Sequence, residues 1–225
     1  SIQREPAGDD SLIEAPATPS ALCFAHGTLI ATPQGEVQVE AMQIGDAILT
    51  SAGTMCEGLW IGRQTVSPAS AGLPQRLEPV CISAGALGEG LPHTDLIVTA
   101  DHGMIVDGLV INASALVNGS TIDWVRAGLL PEQVTYYHIE TENHEVILAN
   151  GAASETFVDY VSRRAFDNYA EYVALFGTGD TLASERTIPE MAFLRISAQR
   201  MLPDRVRARL GLDTAPFEAD LRDSA

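Results

Sequence analysis

From residue 22 to residue 156 the chain alternates short apolar runs with turn residues. Runs of three to six residues rich in Val, Ile and Leu are separated by Gly, Pro, Asn and Asp, the pattern of many short strands. Thr28-Leu29-Ile30-Ala31 predicts a strand, Pro33-Gln34-Gly35 a turn, and Val37-Gln38-Val39 the partner strand of a hairpin. Gln43-Ile44-Gly45-Asp46 is a second turn, followed by Ala47-Ile48-Leu49-Thr50. Further strands are expected over 58–62, 80–82, 96–99, 134–139 and 146–149. The sharpest signal is Met104-Ile105-Val106, then Asp107-Gly108, then Leu109-Val110-Ile111, a two-residue hairpin turn between apolar runs. Residues 113–117 read as a single helical turn.

The pattern changes near residue 157. Val158, Val161, Ala165, Tyr169, Tyr172, Val173 and Phe176 recur at helical spacing, and Gly177 ends the run. Met191, Leu194, Ala198 and Met201 predict a second amphipathic helix, entered near Pro189 and broken at Pro203. A third is expected over 204–210, before Gly211. The expected organisation is a flexible linker over 1–20, an all-β domain over 21–157, and a helical extension over 158–225 whose end is disordered. The linker reading rests on Glu5-Pro6-Ala7-Gly8-Asp9-Asp10 and Ala15-Pro16-Ala17-Thr18-Pro19, which cannot bury a core.

Composition narrows the choice of partners. The 225 residues are 46% apolar, enough for a large core. The net charge is −17, from 30 acids against 13 Arg, and the chain has no Lys. Residues 21–156 alone carry fifteen acids and three Arg, which makes nucleic acid and anionic membranes poor partners. No apolar run reaches the length of a membrane span. The first residue is Ser, which reads as a fragment.

The candidate chemistry centres on one thiol. Cys23 opens Cys-Phe-Ala-His-Gly-Thr-Leu-Ile-Ala-Thr-Pro, and Thr99-Ala100-Asp101-His102 begins 76 residues later. A thiol beside a peptide bond can attack the preceding carbonyl, here that of Leu22, and exchange the amide for a thioester. The departing amine needs a proton, which His supplies well near neutral pH, and the thiol must lose its own. Thr99 and His102 are the candidates to grip and protonate the scissile nitrogen. His138, 36 residues after His102, is a second candidate acid or base. Cys56 and Cys81 either form a disulfide or remain two reduced core thiols, the plainer reading. The absence of a CxxC pair excludes a zinc ribbon, and no cofactor or metal is expected. His26, His93 and His144 read as surface or turn residues, and Asp101 either orients His102 or caps a turn.

Three blocks in this order resemble the Hint domain, the self-processing module shared by Hedgehog proteins and inteins. They are residues 23–50, the TxxH block at Thr99 to His102, and a late block from Tyr136 to Gly151. The nearest likeness is to bacterial Hedgehog/intein-like domains. The resemblance implies a horseshoe-shaped, pseudo-twofold all-β fold and an N-to-S acyl shift at Leu22–Cys23. It implies Cys23 as nucleophile, with Thr99 and His102 activating the amide. His138 occupies a late-block position where the family places Asp, Cys or His.

The chain departs from inteins at the end of the late block. Where inteins carry His-Asn and then Cys, Ser or Thr, this chain reads Ala152-Ala153-Ser154-Glu155-Thr156-Phe157. With no Asn to cyclise and no downstream thiol, the expectation is N-terminal cleavage without full splicing. It would be a single-turnover autoproteolysis of an upstream polypeptide in cis, with water or a small nucleophile as acceptor. Secretion is expected from the family's habits and the acidic composition. The alternatives are a non-cleaving Hint fold that binds a protein partner through its helical tail, and a Cys/His hydrolase acting in trans through an open cleft.

Overall fold

The computed structural model describes residues 22–68, 78–159, 162–177 and 186–212. The expected linker over 1–20 and the expected disordered end over 213–225 lie outside these residues, as does Val161.

Strands β1 (Phe24–Ala25), β2 (Leu29–Thr32), β3 (Gly35–Gln38), β4 (Ala47–Leu49), β5 (Met55–Glu57), β6 (Trp60–Val66), β7 (Pro79–Ile82) and β8 (Leu96–Thr99) come first. They are followed by β9 (Gly103–Val106), β10 (Leu109–Asn112), helix α1 (Ala113–Leu116), β11 (Ile122–Trp124), β12 (Val134–Glu140), β13 (Val146–Ala149) and β14 (Ala152–Glu155). The extension supplies α2 (Tyr169–Phe176), β15 (Arg195–Ile196) and α3 (Asp204–Arg209). One sheet has the order β11-β7-β8-β1-β12-β6, a second β15-β10-β9-β14-β13-β2-β3, and β4 pairs with β5. The all-β expectation with a helical extension therefore stands. The β9–β10 hairpin turns at Asp107 and Gly108, whose φ values of 52° and 74° suit a two-residue turn that needs both central residues left-handed.

β1 is only two residues long, yet it lies in the middle of its sheet, between β8 and β12. Phe24 pairs with Val98 on one side and Tyr137 on the other. Side chains alternate across a strand. Phe24 accordingly joins the main core with Ile48, Val98, Ile111 and Ile139, while Cys23 and Ala25 face a second cluster with Trp60, Tyr136, Phe157, Phe166 and Tyr172.

Two helix expectations need correction. Among the described residues of the run over 158–176, the α-helix is confined to Tyr169–Phe176, preceded by a 3-10 turn at Arg163–Ala165. The intervening residues instead satisfy the open edge of β6. Asp167 donates its N–H to Arg63 O (2.8 Å), the Arg63 N–H reaches Asn168 Oδ1 (2.8 Å), and the Thr65 N–H reaches Asp167 Oδ2 (2.8 Å). An uncovered strand edge presents unpaired backbone groups, and here that demand outweighs helical periodicity.

The expected helix over 191–201 is absent. Arg195 and Ile196 extend the second sheet as a strand parallel to β10, paired with Val110 and Ile111. Leu194 and Met201, taken as apolar-face residues of a helix, are 69% and 57% exposed, whereas Ile196 is buried. Edge pairing again decides the local structure. The third helix forms as expected, and its Arg205 and Arg209 grip Asp107 at the tip of the β9–β10 hairpin.

Candidate functional site

Cys23 is held by the strand beside it. Its backbone N–H, the nitrogen of the Leu22–Cys23 peptide bond, donates to Thr99 Oγ1 at 2.9 Å. The Thr99 N–H returns a bond to the Cys23 carbonyl at 3.0 Å. Both residues are fully buried.

β8 ends at Thr99, and a tight turn follows in which the His102 N–H donates to Thr99 O at 3.1 Å. The start of α1 braces this turn, with Ala113 N–H on His102 O (2.8 Å) and Ser114 N–H on Ala100 O (2.9 Å). The turn brings the His102 ring back toward β1. Its centroid packs 4.3 Å from that of Phe24, the residue after Cys23. Neither ring nitrogen makes a close hydrogen bond among the described residues. The ring nevertheless lies near enough to the Leu22 carbonyl for that carbonyl to favour its protonated form. Burial outweighs this and lowers the His102 pKa to about 4, so the ring is neutral at neutral pH.

His138 reaches the site across β12. Phe24 pairs with Tyr137 and Ala25 with Tyr136, and continuing that register sets His138 opposite Cys23 on the same face of the sheet. The ring is buried, 4.7 Å from the Phe157 ring and 5.9 Å from that of Phe166, and Nδ1 has no hydrogen-bond partner among the described residues. Burial, reinforced by neighbouring His102, pushes its pKa well below the usual imidazole range. Thr99 thus bonds the Cys23 nitrogen, His138 lies opposite Cys23 on β12, and the His102 ring packs on neighbouring Phe24. The Cys23 thiol is pushed well above its ordinary value by burial in the apolar cluster.

The arrangement stores no ready thiolate–imidazolium pair. Burial raises the thiol and lowers the His102 ring, so forming the ion pair before attack is disfavoured on both sides. Proton transfer coupled to attack avoids forming it.

Sequence reasoning missed a buried carboxylate beneath His102. Glu155, at the end of β14, accepts the Gly103 N–H and forms a bidentate pair with the Arg195 guanidinium, one bond being Nη1 to Oε1 at 3.2 Å. His144 Nε2 lies 3.0 Å from Glu155 Oε2, and His144 Nδ1 accepts the Met191 N–H at 3.1 Å. A backbone N–H can only donate, so Nδ1 carries a lone pair and the ring proton sits on Nε2, facing Glu155. Burial raises the Glu155 pKa, but hydrogen bonds from His144 and Arg195 outweigh it and hold the carboxyl at about 2. Gly103 is required here, because an added Cβ would overlap the carboxylate of Glu155 and come within 2.5 Å of Val110 Cγ1.

The remaining candidates fall away from the site. His26 is exposed beside Glu40, His93 pairs with Glu36 at 2.7 Å, and Asp101 accepts from Asn112 Nδ2 at 3.3 Å. Cys56 and Cys81 are both free thiols. Among the described residues no three His, Cys, Asp or Glu side chains converge as a metal site, and no helix is long and apolar enough to cross a membrane. Cys23 itself is at 0% exposure.

Residues 22–161, more than half of the chain, match the sequence profile of the Hint domain. The chain belongs to the Hint domain family. Among solved structures, this Hint domain is similar to the MchDnaB-1 intein, at 15% identity and a TM-score of 0.43 over 58% of this chain and 98% of that one. It is similar to the gp41-1 intein, at 16% identity and a TM-score of 0.41 over 59% and 96%. It is also similar to a bacterial intein-like domain from Clostridium thermocellum, at 16% identity and a TM-score of 0.42 over 60% and 98%. No curated protein sequence matches it. The matched profile begins at Leu22.

Proposed function

We propose that this Hint domain cleaves the polypeptide attached to its N-terminal side, through a thioester at Leu22–Cys23. The observation that carries this reading is the placement of Thr99 Oγ1 on the Cys23 nitrogen, at 2.9 Å, with the His102 ring by the Leu22 carbonyl. In the first step the Cys23 sulfur adds to the Leu22 carbonyl carbon. The carbon–nitrogen bond then breaks, and its electron pair stays on the Cys23 nitrogen. That nitrogen takes the proton the thiol gives up, passed through the neutral His102 ring. Thr99 fixes the nitrogen during the transfer, and His138 faces the same thiol as a second proton carrier. In the second step water or a small nucleophile attacks the thioester, the carbon–sulfur bond breaks, and the thiol is restored.

The reaction stops at N-terminal release. The end of the late block is folded into the domain rather than presented for cleavage. Thr156 N–H and Oγ1 both bond Glu145 O, and the Phe157 N–H bonds Ile139 O at 2.9 Å. No Asn stands there to cyclise.

The test is intact-mass spectrometry of the chain, with its upstream polypeptide, before and after a pulse of dithiothreitol or hydroxylamine. The expected result is a released fragment ending at Leu22 (as the hydroxamate when hydroxylamine is used), absent in Cys23→Ala. An unreacted chain under every nucleophile would sink the proposal. One observation favours a second reading, a Hint fold that no longer cleaves: Cys23, Thr99 and His102 are all at 0% exposure, leaving an acceptor no path in the closed form. That reading predicts capture of a protein partner that depends on residues 157–225 and is unaffected by Cys23→Ala.

A further inference from the structure

The C-terminal extension contributes directly to the support of the site. Two of its residues, Arg195 and Met191, contact the side chains that lie under His102. β15 places Arg195 there, because pairing with β10 fixes the register of Arg195 against Val110. From that point the guanidinium reaches Glu155 with two nitrogens and Asn112 Oδ1 with Nη1 at 3.1 Å. Glu155 in turn accepts the N–H of Gly103, the residue after His102.

This matters because the His102 ring has no close hydrogen bond of its own among the described residues. Its aim is set by its backbone and by packing on Phe24. The peptide plane between His102 and Gly103 is pinned at both ends. The carbonyl accepts from the Ala113 N–H at 2.8 Å, and the N–H is held by Glu155. If the carboxylate loses its cation, it either protonates or moves toward water, and one end of that plane is released. A positioning error of about 1 Å at a reacting group costs on the order of 100-fold in rate.

We infer that Arg195 is a positioning residue that acts through Glu155 and the Gly103 amide to aim His102 at the Leu22–Cys23 bond. The extension is then part of the processing unit and not an appendage to it. This inference rests on the cleavage reading for its rate consequence, but not for its structural one.

The test uses the full chain with its upstream polypeptide, as wild type, Arg195→Ala and Arg195→Lys. Hydroxylamine-induced release is expected to fall about 10- to 100-fold in Arg195→Ala. Millimolar methylguanidinium should restore most of it, since Arg195 is 18% exposed and its removal opens a path for the small cation. Arg195→Lys should retain an intermediate rate, because one charge survives without the bidentate geometry. The acid limb of the release profile should move to higher pH in Arg195→Ala, as Glu155 loses a partner that keeps it ionised. A merely structural strap would lose activity in step with melting temperature and show neither methylguanidinium rescue nor a displaced acid limb.

The second measurement is independent of cleavage. Imidazole carbon and nitrogen resonances of His102 should shift in Arg195→Ala and return with methylguanidinium. Unchanged His102 resonances in a folded Arg195→Ala chain would overturn the inference. A shift and its rescue in a chain that never cleaves would uphold the positioning and defeat the cleavage reading instead.

Discussion

The hydroxyl oxygen of Thr99 accepts the backbone N–H of Cys23 at 2.9 Å, across 76 residues of sequence. The residue that grips the nitrogen thus lies on the strand next to the one that follows Cys23. Thr99→Val keeps the shape of the side chain and removes the acceptor. A buried N–H left without a partner costs about 1–3 kcal/mol. The variant should melt lower and release its upstream segment about 5- to 100-fold more slowly, one factor of ten for each ~1.4 kcal/mol lost from the transition state. Thr99→Ser should retain both properties. Paired thermal melts and release rates check this.

His102 should not titrate across the physiological range. Burial holds its pKa at about 4, so its ring resonances should stay those of the neutral form from pH 8 down to pH 5. His102→Ala should slow release by about 100- to 10,000-fold, the usual worth of a positioned acid–base group.

Glu155 gives the fold a defined acid sensitivity. Its carboxyl sits at about 2 in the folded chain against an ordinary 4.5. A depressed carboxyl stabilises the fold fully above its unfolded value, and that contribution is lost as pH falls from about 4.5 through about 2. The difference corresponds to about 3 kcal/mol. In Glu155→Gln the stability lost between these limits should shrink by about that amount, as read from urea midpoints at stepped pH. The variant should also be less stable at pH 7, because Arg195 keeps a charge without its carboxylate.

Arg163 tests the second cluster. Its guanidinium is fully buried, bonds Glu140 at 2.6 Å and Asp159 at 2.7 Å, and lies 4.4 Å from the Phe157 ring centre. Breaking a buried pair costs about 3–5 kcal/mol, and the low end is expected here because Arg186 Nη1 still lies 3.6 Å from Glu140 Oε1. Arg163→Ala should lower the urea midpoint accordingly. It should also loosen the aromatic wall beside His138, visible as faster hydrogen exchange at Phe157.

The strand pattern was legible because each turn declares itself locally. Asp107-Gly108 could be read as a hairpin turn from two residues. Glu155 was not legible. In sequence it is a polar residue at the end of a strand, and its burial becomes tolerable through the Gly103 amide, His144 and Arg195, the last forty residues later. The helix expected over 191–201 failed for a related reason. Met191, Leu194, Ala198 and Met201 repeat at helical spacing, but the open edge of β10 offered backbone partners that no side-chain periodicity reveals. Local signals predict elements. They do not report which edges elsewhere remain unpaired.

The complete enclosure of Cys23 makes any cleavage a one-way event. Before the cut, its nitrogen is an uncharged amide seated on Thr99 in an apolar surround. After the cut it becomes a terminal amine, which in water carries a proton below a pKa of about 8. An ammonium group is poorly tolerated in that position. Either the amine stays neutral at a cost or the new chain end leaves the sheet for solvent, pulling β1 from between β8 and β12. In both cases the domain that has acted no longer offers the substrate geometry it started with. Cleavage would mark the molecule as spent, and the reverse joining reaction would find no seat.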